Sequence, residues 1–243
     1  MPATDPPAVP EQDVVPEQDV VAERDAVAER GLATERRIAA FDFDGTLTRR
    51  DTLVPFLVYA CGRSKVASAL AAVGPGAVSG RFRPPPEGHH RDRTKERLLA
   101  RLFTGDEAAR VAEAGVAYAA RLPALLRTDM AERLAWHQRE GHEVVIVSAS
   151  LCVYLEPFAT DHRVNHVLAV SLEADDEGRL TGRLVGPNVR GAEKAVRLRA
   201  WLDGDRPLHL WAYGNSSGDD ELLEMATSPT RVGRRRRRPG YPP

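Results

Sequence analysis

The sequence predicts an α/β fold: a parallel sheet covered by helices on both faces, with a helical block inserted after the first strand. Three observations carry this expectation. Apolar runs of strand character at residues 38–41, 143–148 and 208–213 alternate with stretches of helical periodicity, as in a parallel sheet. Polar residues collect just past the carboxyl end of each run, where open parallel sheets bind ligands. Residues 52–121 break the alternation with several helices in succession, which marks an insertion.

Composition narrows the class. The chain has 243 residues, 42% hydrophobic and 28% charged, the balance of one globular domain or of a core with an inserted cap. A formal net charge of −1 supplies no global field for nucleic acid, and none is expected as a partner. Cys61 and Cys152 lie far apart without metal-like spacing and read as reduced thiols. The acidic, proline-rich start has no apolar core of a signal peptide. The most apolar helix-like stretch, Val66 to Val78, is too short for a transmembrane segment and is interrupted by Gly74-Pro75-Gly76. A cytoplasmic protein is the expectation.

Taken in order, residues 10–39 repeat with period six: PEQDVV, PEQDVV, AERDAV, AERGLA, TERRIA. Such a period turns equivalent positions by about 240° around a helix, so no apolar stripe forms. Residues 1–34 are expected to be a disordered or weakly helical tail. The last hexad runs into the first strand, Ile38 to Phe41. Residues 52–62 and 64–73 carry apolar residues at helical spacing. A loop with Pro84-Pro85-Pro86 and His89-His90 follows, its histidines reading as surface. Residues 91–103 and 106–121 read as amphipathic helices, and another runs from 124 to 140 and stops at Gly141. Then come a strand at 143–148, a helix at 151–159, and strands at 167–173 and 179–185 joined by a turn. A helix at 190–202, a strand at 208–213 and a helix at 219–226 complete the pattern. The chain thus divides into a tail (1–34), an α/β core (35–51 and 122–233), a helical cap (52–121) and a basic tail (234–243). Arg234 to Arg238 in that last segment read as a solvated end.

Asp42 and Asp44 close the first strand. Residues i and i+2 of a strand share a face, so two carboxylates project together where the strand runs out. Such a pair makes sense around a cation or in acid–base chemistry. Gly45 and Thr46 then turn the chain. The same rim collects Ser148-Ala149-Ser150, Lys194 at the start of a helix, and the turn Gly214-Asn215-Ser216-Ser217-Gly218-Asp219-Asp220. Lys65, Lys95 and Lys194 are the only lysines among 34 basic residues, which makes one at this rim informative. Together these groups describe a site for a metal ion and a phosphoryl group. Cys152 beside it reads as a packing residue.

The four segments DFDGT, VSAS, the lone Lys194 and GNSSGDD resemble, in order, the motifs of the haloacid dehalogenase (HAD) superfamily. Within it the likeness is to the phosphoserine-phosphatase-like branch, subfamily IB, which LTGRLVGPNVRGAEK also resembles. The similarity spans residues 37–233 and implies a Rossmann-like, HAD-like core. It further implies Mg²⁺-dependent hydrolysis of a small phosphorylated metabolite through a covalent aspartyl-phosphate. In that resemblance Asp42 attacks phosphorus, and Asp44 protonates the leaving oxygen and later takes a proton from water. Ser148, Ala149, Gly45 and Thr46 hold phosphoryl oxygens, and Lys194 offsets charge. Asp42, the carbonyl oxygen of Asp44, and residue 215 are implied as Mg²⁺ ligands, with Asp219 in support.

Two positions depart from the family pattern. Asn215 stands where these phosphatases usually have Asp, so the metal site loses one negative charge and weaker Mg²⁺ binding is expected. Asp51 stands where phosphoserine phosphatases place a glutamate for the substrate's amine; it also reads as a helix cap, and that reading is favoured. Arg91, Arg93 and Lys95 either steer anions at the entrance or form a solvated helix face. Two other functions stay open: a metal-poor binding protein on this fold, and a phosphotransferase to an alcohol acceptor.

Overall fold

The computed structural model describes residues 36–74 and 89–233, without the side chains of 89–91. The first four hexads and the start of the fifth, the triple proline and the arginine run lie outside the described residues.

Seven strands are described: β1 (Arg37–Phe41), β2 (Glu143–Leu151), β3 (His166–Val170), β4 (Leu172–Ala174), β5 (Leu180–Leu184), β6 (His209–Gly214) and β7 (Ser228–Arg231). Five form one sheet in the order β3-β2-β1-β6-β7, and every neighbouring pair is parallel. Ile38 to Phe41 and Val144 to Val147 have no exposed surface, as central strands covered on both faces require. Phe41 pairs in register with Ile146 on one side and Tyr213 on the other, so β1, β2 and β6 end at one rim.

Eight helices surround the sheet in the described residues. Four make the crossovers: α5 (Thr128–Arg139), α6 (Cys152–Asp161), α7 (Ala192–Leu202) and α8 (Asp220–Glu224). From β1 the chain moves outward through α5 to β2 and through α6 to β3. It then returns through α7 to β6 and through α8 to β7. Right-handed crossovers therefore place α5 and α6 on one face and α7 and α8 on the other. The direction reverses between β1 and β6, which creates the crevice where Asp42 and Asn215 emerge.

The other four helices, α1 (Leu53–Cys61), α2 (Arg63–Val73), α3 (His89–Phe103) and α4 (Ala108–Ala119), lie between β1 and α5. The chain leaving the core and the chain returning to it run side by side. Thr48 and Leu126 form an antiparallel bridge, and the Arg127 N–H donates to the Leu47 carbonyl at 2.8 Å. Close backbone approaches help tie this helical layer to its surroundings. Gly115 of α4 meets α6 so closely that an added Cβ would fall 2.1 Å from the Val153 carbonyl oxygen. Gly182 of β5 has the Cα of Ala100 on α3 only 3.0 Å from its own Cβ position.

Some element limits differ from expectation. The run 167–173 does not make one strand: β3 joins the main sheet, and β4 turns away to pair with β5. β2 continues to Leu151, and residues 122–125 form a separate single turn ahead of α5. The helix expected over 219–226 is the shorter α8, preceded by a turn at Ser217–Asp219. β7 was not expected at all. Its sequence Ser-Pro-Thr-Arg has no strand pattern, and Pro229 is tolerated because β7 is an edge strand.

Candidate active site

Asp42 is the residue after β1, and its backbone N–H donates to the Tyr213 carbonyl of β6 at 2.9 Å. Residues 43–47 form one wide turn that Gly45 closes at φ +82°, a conformation that favours glycine. The turn folds Thr46 back onto the strand end, where Thr46 Oγ1 donates to Asp42 Oδ2 at 2.7 Å. Lys194, in the first turn of α7, donates to the other oxygen, Asp42 Oδ1, at 2.6 Å. The same ammonium reaches Asp219 Oδ1, also at 2.6 Å. Lys194 and Asp219 are 2% and 1% exposed, so this is a buried cation between two carboxylates.

Burial disfavours the Lys194 charge, but the two carboxylates outweigh it and hold the amine above its ordinary range. Burial and the nearby Asp219 push the Asp42 carboxyl up, against Lys194 and Thr46. Asp219 goes the other way: burial is outweighed by Lys194 and the Ser216 donors, and its pKa falls.

Asp219, expected in support of the metal ligands, has both of its oxygens occupied by protein donors. Its Oδ1 is taken by Lys194, and its Oδ2 accepts from Asn215 N at 3.0 Å, Ser216 N at 2.9 Å and Ser216 Oγ at 3.0 Å. It holds the turn after β6, and so aims Asn215, from behind. Asn215 itself is exposed, with its amide end against Gly45.

Asp44 is built differently. Its Oδ1 accepts from Thr52 N at 2.8 Å and Thr52 Oγ1 at 2.7 Å, and its Oδ2 accepts from Ser150 Oγ. Burial is the largest influence on this carboxyl, followed by the charge of Asp51, and together they push it up to about 7 against the hydroxyl donors. Thr52 and Tyr154 were not assigned to the site from sequence, and Ser150 was placed on its rim without a role. Hydroxyls are common at strand ends and helix starts, so only the folded geometry singles these out. The mere recurrence of Ser two residues beyond Ser148, on the same face of β2, was the one available signal.

Ser148 is 1% exposed and accepts the Ser150 N–H at 3.0 Å. The Ala149 carbonyl receives Lys95, which also donates to Asn188 Oδ1 at 2.6 Å. Lys95 is therefore turned inward from α3 onto the rim, not onto a solvated face, and burial lowers its pKa to about 8. Arg93 is exposed, and the Arg91 side chain lies outside the described residues. Asp51 is exposed and caps α1: its Oδ1 accepts from Leu53 N at 3.0 Å and Val54 N at 3.3 Å. A cleft of about 610 Å³ opens beside the rim, between α3 and the loop before α7, with Asp92, Arg93, Asn188, Arg190 and Glu221 in its walls.

The oxygen donors that the family resemblance implies for a metal, the Asp42 carboxylate, the Asp44 carbonyl and the Asn215 amide, belong to the segments that follow β1 and β6. Among the described residues no group of three His, Cys, Asp or Glu is arranged around a metal position. An all-oxygen set with a single carboxylate fits a hard cation such as Mg²⁺, which keeps several of its waters, and does not fit a softer ion that needs nitrogen or sulfur.

The sequence pattern of the haloacid dehalogenase-like hydrolase family matches residues 39–224, from β1 through α8. The chain belongs to this family. Among its relatives, the protein CicA of Caulobacter vibrioides (strain NA1000 / CB15N) is 32% identical over 190 residues, which cover 78% of this chain and 82% of that one. Among solved structures, a protein from Bordetella pertussis Tohama I superposes with a TM-score of 0.59 at 24% identity, covering 81% of this chain and 89% of the other. A phospho-aspartyl intermediate analogue of phosphoserine phosphatase superposes with a TM-score of 0.53 at 17% identity, covering 81% and 86%. The fold is that of the HAD hydrolases, with phosphoserine phosphatases among its structural neighbours. No helix of the described residues is long and apolar enough to cross a membrane.

Proposed function

We propose that the protein is a Mg²⁺-dependent phosphomonoesterase that hydrolyses a small phosphorylated metabolite through an aspartyl-phosphate on Asp42. The observation that carries this reading is the unequal treatment of two neighbouring carboxyls. Asp42 is gripped on both oxygens by Thr46 and Lys194, which fixes it for in-line attack on phosphorus. Asp44 is pushed up to about 7, the range of a group that gives and takes a proton near neutrality.

In this reading the roles divide by position. Asp42 supplies the attacking oxygen, and Asp44 protonates the leaving oxygen and then takes a proton from the hydrolytic water. Ser148, the Ala149 backbone and the N–H groups of the Gly45–Thr46 turn bind phosphoryl oxygens. Lys194 balances the charge on Asp42 through both halves of the reaction. Asp42, the Asp44 carbonyl and Asn215 would hold a Mg²⁺ ion, which would supply charge neutralisation at the phosphoryl group. Helices α1 to α4 cover the rim as a cap, excluding water and shaping the leaving-group space.

Hydrolysis of p-nitrophenyl phosphate by the purified chain, dependent on added Mg²⁺ and abolished in Asp42→Asn, is the expected result. Equal residual rates in wild type and Asp42→Asn would remove the proposal. Asn215 favours one alternative, a binding protein that has lost catalysis with the metal's charge partner. Calorimetry separates the two, because the enzyme binds vanadate only with Mg²⁺ and a metal-poor relict shows no such dependence. A phosphotransferase would instead give a phosphorylated alcohol when excess acceptor is present.

A further inference from the structure

The cleft beside the rim is walled by charged groups, only some of which have protein partners. Asn188 Nδ2 donates to Asp92 Oδ1 at 2.6 Å, and Arg197 Nε donates to Glu193 Oε1 at 2.9 Å. Arg93 and Glu96 on α3, and Arg190 and Glu221 across from them, make no hydrogen bond or ion pair among the described residues. Glu221 carries the largest deficit, because its Oε2 is shut off from water and still accepts nothing. A buried carboxylate oxygen without a donor is unfavourable, and native proteins rarely leave one so. Rotation about the Cγ–Cδ bond of a glutamate is soft, so either oxygen can be turned to the cleft.

The cleft adjoins the reaction site at two points. Gly191, the residue before α7, lies against Glu221: a Cβ there would be 3.8 and 3.9 Å from the two carboxylate oxygens. Lys194, in the first turn of the same helix, donates to Asp42. On the cap side, Asn188 accepts from Lys95, which also reaches the Ala149 carbonyl. A leaving group whose phosphate sits at Asp42 therefore has this cleft next to it. Its volume of about 610 Å³ is that of a site for a whole small molecule, well beyond a short alcohol.

The unpartnered groups are one carboxylate and one guanidinium on each wall. A leaving group bearing an ammonium would serve the carboxylates and be repelled by the guanidiniums. One bearing a carboxylate would do the reverse. A hydroxyl both donates and accepts, so a chain or ring of hydroxyls serves both kinds of group at once. Resting on the phosphatase reading above, we infer that this cleft receives a polyhydroxylated leaving group, that of a sugar or sugar-alcohol phosphate, with Glu221 and Arg190 as its specificity-determining residues. Glu221 accepts from the ligand's hydroxyls and thereby gains the donor that the protein does not supply. Arg190 donates to their oxygens from the same wall.

The test is the ratio of kcat/KM for glucitol 6-phosphate to that for n-hexyl phosphate, two primary alkyl esters of equal chain length. Wild type is expected to favour the hexitol ester at least about 100-fold, because the alkyl chain leaves the charged groups bare. Glu221→Met and Arg190→Met are each expected to lower this ratio about 10- to 100-fold, the worth of a hydrogen bond to a charged group. A merely structural role would slow both esters alike and leave the ratio where it was. A wild type without the preference, a preference for 6-aminohexyl phosphate over the hexitol ester, or a ratio that neither substitution moves overturns the inference and leaves the phosphatase reading intact. A wild type inactive on all three esters and on p-nitrophenyl phosphate overturns that reading and this inference with it. If circular dichroism finds either variant unfolded, Glu96→Met, at an exposed position of α3, takes its place and is expected to lower the same ratio.

Discussion

Gly45 and Asn215 are in direct contact across the crevice: a Cβ added at Gly45 would fall 2.0 Å from Asn215 Nδ2. The turn after β1 and the turn after β6 are thus fitted to each other, and the missing side chain of Gly45 is what gives the Asn215 amide its room. Gly45→Ala adds a methyl there and strains a backbone at φ +82°. It is expected to raise the Mg²⁺ concentration for half-maximal activity at least about tenfold. The accompanying loss of stability, measured by urea unfolding, is expected to be about 1–2 kcal/mol.

Restoring the lost charge should act in the opposite direction. Asn215→Asp leaves the Asp219 grip on the backbone of residue 215 untouched, since that grip uses the N–H. With a second carboxylate at the ion, Mg²⁺ affinity measured by calorimetry is expected to rise about tenfold, because ligand charge tunes such sites. Unchanged affinity would remove residue 215 from the ligand set.

Lys194 is a structural residue as well as a candidate catalytic one. Lys194→Met leaves Asp42 and Asp219 buried without their cation, and unpaired buried charges of this kind cost about 3–5 kcal/mol. Activity is expected to vanish, and the urea midpoint to fall with it. The destabilisation should shrink in Lys194→Met/Asp219→Asn, which removes one of the stranded carboxylates.

Asp51 supplies a pH test of the acid role. Its charge helps burial raise Asp44 to about 7, and the acid must be protonated to work. The kcat/KM for phenyl phosphate is therefore expected to fall about tenfold per pH unit above that value. Asp51→Asn keeps a helix cap but removes the charge, so Asp44 loses its proton more easily. The falling limb should move to lower pH.

A buried histidine pair makes the fold acid-sensitive. His137 has no exposed surface; its Nδ1 lies 2.8 Å from His142 Nδ1 and its Nε2 2.8 Å from Tyr213 OH. Burial, with the neighbouring His142, lowers its pKa from 6.5 to about 3. The unfolded chain takes up a proton below about 6.5 that the folded chain refuses until about 3. Stability from this residue is thus complete above pH 6.5 and drains as pH falls through that window, by up to about 1.4 kcal/mol per unit. Urea midpoints at pH 7 and 5 check this, and His137→Gln should flatten the slope.

Much of this site was legible in the chain because its parts are marked by rare combinations. Asp42 and Asp44 share a face at a strand end, Lys194 is one of three lysines, and Asn215 follows an apolar run into a Gly/Ser turn. What escaped was whatever depends on a partner distant in sequence. Ser150 and Thr52 are ordinary residues until Asp44 comes to lie between them. Asp219 reads as a support for the metal ligands, but which partners take its two oxygens, Lys194, Asn215 and Ser216, is visible only in the fold. Lys95 was balanced between solvent and entrance, and only the approach of Ala149 and Asn188 decides it. β7 escaped for another reason: an edge strand of four residues with a proline carries no periodicity to read.

The β4–β5 hairpin bears on how this architecture can be re-engineered. Leu180 exchanges backbone hydrogen bonds with the α3–α4 turn, accepting from Gly105 and donating to Asp106, while the Ala108 N–H donates to the Gly178 carbonyl. The hairpin is in effect a graft of core sequence onto the helical layer, and the layer is not a cassette. Cutting out residues 52–121 and splicing the ends at the Thr48–Leu126 bridge would look topologically clean, yet it would strand a two-stranded ribbon with Leu180 bare and bring down the segment that delivers Lys194. Exchanging caps between relatives calls for moving the hairpin with the helices as one transplant.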